Sequence, residues 1–158
     1  ALHSEHTDML MTIRISGQLF GIPVLMIQDV LRDMSITPIP LAASVIAGSM
    51  NLRGRTVTVI DMCKRLEIDA NPDRKIINVV VEYNKELVSL QVDEVGDVLS
   101  LPANTFEKSP PNMDGNWRDI ALGVYRLDDE LLVVIDIDGL LDLRNYSMIK
   151  KQEKPQED

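Results

Sequence analysis

The sequence predicts a mainly β protein built as two small β-barrels lying side by side. Short apolar runs with period-two alternation recur along the chain, and they are bounded by residues typical of turns. The second half repeats the order of motifs found in the first half, as expected after duplication of one unit. The chain has 158 residues, which suits one domain or two very small ones that share a core. Many short strands with turn signals favour barrels over a helical or parallel α/β fold.

The first predicted element is a hairpin. Met11, Ile13 and Ile15 alternate with polar residues, which is typical of a half-buried strand. The turn at residues 16–18 then leads into a second apolar strand at residues 19–22.

Pro23 marks a change of backbone direction after this hairpin. Proline fixes φ near the helical value and has no amide hydrogen, so residues 23–27 are predicted to form one helical turn. The chain then extends again over residues 28–36. A full helix over residues 24–32 is the alternative.

A rigid connector and a second hairpin follow. Residues 38–40 read Pro-Ile-Pro and predict an extended segment, and residues 41–47 are expected to form a short helix. Strands at residues 49–52 and 55–60 then flank Arg53-Gly54, where glycine adopts positive φ at no steric cost. A short helix is predicted to follow the second strand, and Asp61 suits its N-cap position.

The second half begins with strands at residues 78–83 and 87–92 around a turn at Asn84-Lys85. A shift of 68 positions lays Asp29-Val30-Leu31 on Asp97-Val98-Leu99, and a shift of 75 lays Gly48 on Gly123 and Val59-Ile60-Asp61 on Val134-Ile135-Asp136. The difference between the shifts places an insertion within residues 103–116. Chance similarity among β-rich segments is the alternative.

These patterns give a predicted domain organisation. Residues 1–8 are expected to be a mobile leader, and residues 9–143 the folded part. The first barrel is placed at about residues 9–70 and the second at about 76–143, with exchange of strands or helices between them allowed. A C-terminal helix is expected from residue 140 to 151, so residues 144–158 hold its end and a polar tail.

Composition excludes several classes of protein. The formal net charge is −9, and 25 acidic residues outnumber 16 basic ones, which argues against nucleic acid as a partner. No apolar run approaches the roughly 20 residues that span a bilayer, and the first residues lack the order of a signal peptide, so a cytoplasmic protein without membrane insertion is expected. The single cysteine, Cys63, has no internal disulfide partner. It is interpreted as a small buried apolar residue, with a reactive thiol as the alternative.

No catalytic, metal or cofactor site is predicted. His3 and His6 are the only histidines and do not complete a tetrahedral metal site. Acidic residues between 128 and 138 lack the ligand order of a calcium loop, so turn and cap roles explain them. No phosphate-binding loop, nucleophile elbow or triad can be assembled. A non-enzymatic binding or scaffold module is therefore expected, and a small acidic ligand-sensing or regulatory domain is the alternative.

One ordered set of motifs then identifies a family resemblance. In chain order it comprises Phe20-Gly21-Ile22, Val24, Ile27, Asp29-Val30, Pro38, Pro40, Gly48, Asn51-Leu52-Arg53-Gly54, Val59-Ile60-Asp61, Val92-Asp93, Val95, Val98, Gly123-Val124, Val134-Ile135-Asp136 and Leu140-Leu141. In order and spacing these motifs resemble the CheW family of chemotaxis coupling proteins, and the resemblance covers about residues 9–143.

The resemblance implies two pseudo-symmetric five-stranded SH3-like barrels with short helices. It also implies a stand-alone, non-enzymatic adaptor, because the chain carries neither a kinase nor a receiver domain. Such adaptors couple the cytoplasmic tips of chemoreceptors, the methyl-accepting chemotaxis proteins, to the regulatory domain of the histidine kinase CheA. No cofactor is implied.

The predicted receptor-binding residues are Val24, Ile27, Asp29, Asn51 and Arg53. Val24, Ile27 and Asp29 are expected to line a groove between the barrels, with Arg53 at its edge, because a helix docks by laying apolar side chains into such a groove. Barrel core is the alternative for these apolar residues. Arg53 is expected to donate either to receptor groups or to carbonyls that hold the groove-forming loop.

The predicted kinase-binding residues are Ile36, Ile39 and Trp117. Pro38 and Pro40 are expected to hold the apolar loop around Ile39 outward, although Ile39 can instead pack into its own barrel. Trp117 is the only tryptophan and a typical interface anchor on the second barrel.

Overall fold

The computed structural model describes residues 6–108, 117 and 119–142. In this part of the chain the strands are β1 (Thr7–Ile15), β2 (Gln18–Pro23), β3 (Ile27–Arg32), β4 (Ile46–Leu52), β5 (Arg55–Asp61), β6 (Ile77–Tyr83), β7 (Glu86–Val92), β8 (Glu94–Pro102), β9 (Glu107–Lys108), β10 (Ala121–Arg126) and β11 (Leu131–Ile135). The helices are α1 (Met62–Leu66) and α2 (Ile137–Leu141), with 3-10 turns at Val24–Met26 and Ala103–Thr105. The prediction of a mainly β fold is confirmed.

The strands form two sheets, and the two halves of the chain exchange their first hairpins between them. One sheet has the order β8-β1-β2-β11-β10-β9, and the other has the order β3-β6-β7-β5-β4. The hairpin β1–β2 therefore lies with strands of the second half, and β6–β7 lies with strands of the first half. Parallel pairing joins each exchanged hairpin to its new sheet, between β2 and β11 and between β7 and β5.

The internal repeat is visible in the packing of the two sheets. Each encloses its own apolar cluster, and positions related by the repeat occupy matching places: Leu31 and Leu99, Met50 and Tyr125, Leu52 and Leu127, Val57 and Leu132, Val59 and Val134, and Leu87 and Leu19. A third and larger cluster lies between the sheets and contains residues of both exchanged hairpins, α1 and α2. This shared core joins the two halves.

The N-terminal boundary differs slightly from the expected one. β1 begins at Thr7, inside the expected leader, because Thr7 and Asp8 pair with Pro102 and Leu101 on β8. After β2, a 3-10 turn at Val24–Met26 precedes the extended strand β3. The single helical turn is therefore confirmed, and the alternative of a full helix is wrong.

The short helix expected at residues 41–47 is also wrong. Leu41 has a left-handed φ of 66°, which a right-handed helix does not allow. Ile46 already pairs with Ile60 as the first residue of β4. Pairing across the sheet has overridden the local helical preference.

The predicted turns and the first helix cap are present. Arg53 and Gly54 both have positive φ, 52° and 85°, as a two-residue hairpin turn requires. The Asp61 carboxylate accepts a hydrogen bond of 3.2 Å from the Lys64 amide at the start of α1. Most of the C-terminal helix expected at residues 140–151, and most of the expected insertion, lie outside the described residues.

Candidate protein-binding surface

Strand β3 forms an edge of the five-stranded sheet and presents alternate residues to solvent. Ile27, Asp29 and Leu31 are half-buried, whereas Gln28, Val30 and Arg32 are exposed. An edge strand with an exposed valine is a surface on which a partner segment can bury apolar area.

Asp29 and Arg53 form an ion pair beside this strand. Arg53 Nη2 donates to Asp29 Oδ2 at 2.8 Å, and the side chains are 73% and 23% exposed respectively. The bond from Arg53, followed by the Val30 amide that donates to Asp29 Oδ1, holds the pKa of Asp29 below its ordinary value. Within the described part of the chain, this is the hydrogen bond that Arg53 makes. Its remaining guanidinium donors face solvent.

Asn51 supports the turn that carries Arg53. Its Oδ1 accepts from the Gly54 amide at 3.1 Å, so the side chain closes the turn at positions 53 and 54. Arg53 adopts a left-handed φ within that turn. Asn51 therefore positions Arg53. Arg53 was expected to donate either to receptor groups or to loop carbonyls, and the described contacts include no bond from Arg53 to a loop carbonyl.

The apolar residues predicted for the receptor site divide into two environments. Ile27 is half-buried and packs against the core shared by the two sheets, which agrees with the core alternative. Val24 belongs to the 3-10 turn and lines an open cleft of about 560 Å³ at one end of the six-stranded sheet. Val30 and Leu25, which are exposed, were not predicted; strict alternation along β3 could have identified Val30.

Two of the residues predicted for a kinase contact, Ile36 and Ile39, lie in a loop before β4. Ile36 is half-buried and packs against the core of the five-stranded sheet, and Ile39 is half-buried as well. The loop is fixed to β4 by two hydrogen bonds of 2.8 Å between the backbones of Thr37 and Ser49. The apolar residue that this loop exposes is Leu41, whose exposed fraction is 77%. In the sequence, the position of Leu41 directly after Pro40 was the signal that could have identified it as an exposed loop residue.

Trp117 packs inward. Its ring lies 5.5 Å from that of Phe20, and its Nε1 donates to the Leu66 carbonyl at 3.2 Å. The indole is half-buried against the shared core. These contacts give Trp117 a structural role next to α1, and its role in a kinase contact stays a prediction.

The acidic residues near the C-terminus make structural contacts. Glu130 accepts two bonds from Arg14, of 2.7 Å and 3.0 Å, and Asp138 accepts from the Tyr83 hydroxyl. Among the described residues no group of His, Cys, Asp and Glu side chains is arranged to hold a metal ion. In the same part of the chain no helix is long and apolar enough to cross a membrane.

Comparisons with known proteins agree with this architecture. The family model described as a CheW-like domain matches residues 9–145. A probable chemotaxis protein CheW of Rhizobium etli is 25% identical over 132 residues, which cover 83% of this chain and 85% of that protein. Protein PilI of Pseudomonas aeruginosa is 30% identical over 121 residues, which cover 76% of this chain and 68% of PilI.

A solved structure extends the similarity to three dimensions. The crystal structure of the scaffolding protein TtCheW from Thermoanaerobacter tengcongensis superposes with a TM-score of 0.80 at 27% identity, covering 88% of this chain and 95% of that one. The two sheets thus correspond to the paired SH3-like barrels expected from the sequence. The family model covers most of the chain, and the fold contains the predicted repeat. The chain therefore belongs to the CheW-like domain family, and it is a non-enzymatic scaffold protein of chemotaxis.

Proposed function

We propose that this protein couples the cytoplasmic tips of chemoreceptors to the histidine kinase CheA, and that it does so in the cytoplasm. The observation that carries the receptor part is the edge strand β3, where an exposed valine lies beside the ion pair of Asp29 and Arg53. A helical receptor tip can bury an apolar side chain against such a strand while the charged pair sets its register. The scaffolding role of the family supports the assignment.

In this proposal each residue of the receptor-binding surface has a distinct role. Val30 supplies exposed apolar area, and Arg53 donates from the guanidinium nitrogens that Asp29 leaves unused. Asp29 and Asn51 hold Arg53 in place. Ile27 packs strand β3 against the shared core, and Val24 extends the receptor-binding surface toward the cleft.

The receptor contact is tested by substituting Val30 with Asp and measuring binding to a receptor-tip fragment. Ile76→Asp is a matched control, because Val30 and Ile76 are each 37% exposed and Ile76 lies outside the proposed site. We expect receptor binding at least tenfold weaker for Val30→Asp, with CheA binding and the thermal midpoint unchanged. Equal effects of the two substitutions would contradict the placement. Failure of the wild-type protein to bind either partner, when another coupling protein binds both, would contradict the function.

We place the kinase contact on the loop that contains Ile36, Ile39 and Leu41. Leu41 is its exposed apolar residue, and the loop is pinned to β4, so little conformational entropy is lost on binding. Leu41→Glu is expected to weaken CheA binding while receptor affinity and stability stay unchanged. Ile39→Glu is a poorer test because Ile39 is half-buried. Unchanged CheA affinity in Leu41→Glu would move the contact to the second barrel, near Trp117.

A further inference from the structure

The two halves of the chain hold each other through the exchanged hairpins, and one short segment links them covalently. Among the described strands, β1 pairs with β8, β2 with β11, β3 with β6 and β5 with β7 across the two halves. The covalent link is residues 67–76, between α1 and β6. Since none of these strand pairings involves the link, the first half of one chain can make them with the second half of another chain.

The link folds back on itself in an exposed turn. The Ile68 amide donates to the Cys63 carbonyl at 2.9 Å, and the Arg74 guanidinium returns to the same cysteine, with Nη1 3.0 Å from the sulfur. The residues between these two contacts are exposed. Asn71 closes the turn, because its Oδ1 accepts from the Asp73 amide at 2.9 Å and its carbonyl accepts from the Arg74 amide at 3.0 Å. This turn directs the second half back onto the first half of the same chain.

The contacts on either side of the turn do not require the two halves to belong to one chain. Arg74 lies 3.8 Å from Asp61 of the first half and 3.4 Å from Asp93 of the second half, and its side chain is 12% exposed. Because Arg74 follows the turn, it moves with Asp93 and can meet Asp61 of another chain in the same way. Separating largely buried charges is costly, so this cluster favours paired halves over separated ones. The turn at Asn71 is the described part of the link whose shape would have to change.

We infer that two copies of this chain can open the turn at residues 69–73 and exchange halves, which forms a domain-swapped dimer. The first half of each copy then folds with the second half of the other, and each Arg74 cluster forms between chains. Short linkers hold two halves at an effective concentration on the order of millimolar, so exchange competes when chains fold together at similar concentrations. A link that resists turning shifts the balance from monomer to dimer.

The first test changes the turn alone. Asn71→Pro removes the side-chain acceptor and places two prolines in succession, which favours an extended link. The protein is unfolded in urea, refolded at concentrations up to about 1 mM, and measured by sedimentation velocity. We expect a dimer fraction roughly tenfold higher for Asn71→Pro than for the wild type. Asn71→Ala is the matched control, because it loses the same acceptor without stiffening the link, and it should lie between the two.

The second test distinguishes exchange from association of intact monomers. Met9 on β1 and Ser100 on β8 oppose each other across the two halves, and both are exposed. The double variant Met9→Cys, Ser100→Cys is refolded at high concentration and then oxidised, so that a disulfide joins whichever halves are paired. A swapped dimer then stays a dimer in denaturant without reductant. A dimer of intact monomers separates, because each disulfide closes within one chain. Cys63 is buried and does not compete.

Either test can overturn the inference. Separation of the oxidised dimer into monomers in denaturant contradicts exchange of halves. A wild type and an Asn71→Pro variant that both refold as monomers over the whole concentration range contradict it as well. If Asn71→Pro does not fold, the cysteine pair decides, because it is placed in a chain with the natural link. Neither measurement involves a receptor or a kinase, so both outcomes are independent of the proposed function.

Discussion

Replacing Arg53 with lysine separates a bare positive charge from the geometry of the guanidinium. In the free protein Arg53 uses one nitrogen, Nη2, to hold Asp29, and its other donors face solvent. Lysine preserves the charge and can satisfy Asp29, but it cannot present a planar pair of donors to a partner at the same time. We therefore expect Arg53→Lys to fold normally and to bind the receptor poorly.

The magnitudes distinguish a structural role from a contact. An exposed ion pair contributes roughly 0.2–1 kcal/mol to stability, and Arg53 is largely exposed, so its loss should hardly change the free energy of unfolding. A hydrogen bond to a charged group contributes roughly 1.5–3 kcal/mol, and each 1.4 kcal/mol corresponds to about tenfold in affinity. Loss of one such bond to the receptor is then expected to weaken binding by roughly 10- to 100-fold.

The assay is a titration of a receptor-tip fragment, paired with chemical unfolding of each variant. Arg55→Lys is the matched control, because Arg55 follows the same turn and its guanidinium donates to the Lys85 carbonyl at 3.2 Å. Receptor affinity of Arg53→Lys equal to wild type would refute the role of the guanidinium geometry. A loss of stability as large as the loss of affinity would refute the separation of contact from fold.

Four further outcomes are expected. Gly48→Ala should lower the free energy of unfolding by about 3 kcal/mol or more, because the new Cβ would lie 2.3 Å from the Thr37 carbonyl oxygen. Gly54→Ala, where only the backbone is strained, should lower it by about 1 kcal/mol, and urea unfolding of both variants measures the difference. Burial raises the pKa of the Cys63 thiol, so a thiol reagent should label it only in denaturant, and rapid native labelling would contradict this. The pKa of Asp29 is lowered in the folded protein, so its stabilising contribution is present above its unfolded pKa and is lost as pH falls through the lowered value; carboxyl NMR titration should show this pKa rising in Arg53→Gln. Fragments 1–72 and 73–158 should fold when mixed and remain unfolded alone, as circular dichroism can establish, because each sheet needs strands from both.

The sequence predicted features that depend on neighbouring residues. The hairpin turn at Arg53-Gly54, the Asp61 cap and the strand at β6 follow from positive φ, hydrogen bonding within one turn and apolar runs. The failed helix before β4 has a tertiary cause, since Ile46 within the expected helix pairs with Ile60 on β5. The exchange of hairpins was allowed for but could not be derived, because alternation identifies a strand without identifying the strand that pairs with it.

The site was predictable to a similar extent. The motif placed Arg53 in the turn and Asn51 in the strand before it, and in the structure the Asn51 side chain closes that turn. The bond between Asp29 and Arg53 joins residues 24 positions apart and depends on how the sheet curves, so no local pattern predicts it. Ile27 packs against the shared core, as the core alternative had it, and Val30 is the exposed apolar residue of β3. The role of Ile27 in receptor binding stays a prediction.

Hairpin exchange also gives the two copies crossings that are filled differently. The chain must cross between the sheets twice, at residues 24–26 in the first copy and near Asp93 in the second. At the second crossing Arg74 fills the space, lying 3.4 Å from Asp93 and 3.8 Å from Asp61, and all three side chains are largely buried. The Ser16 amide also donates to Asp93 at 2.7 Å. At the first crossing no such cation enters among the described residues, and the turn presents Leu25 to solvent instead. The linker between the copies supplies Arg74 and so fills the second crossing, whereas the first crossing exposes Leu25.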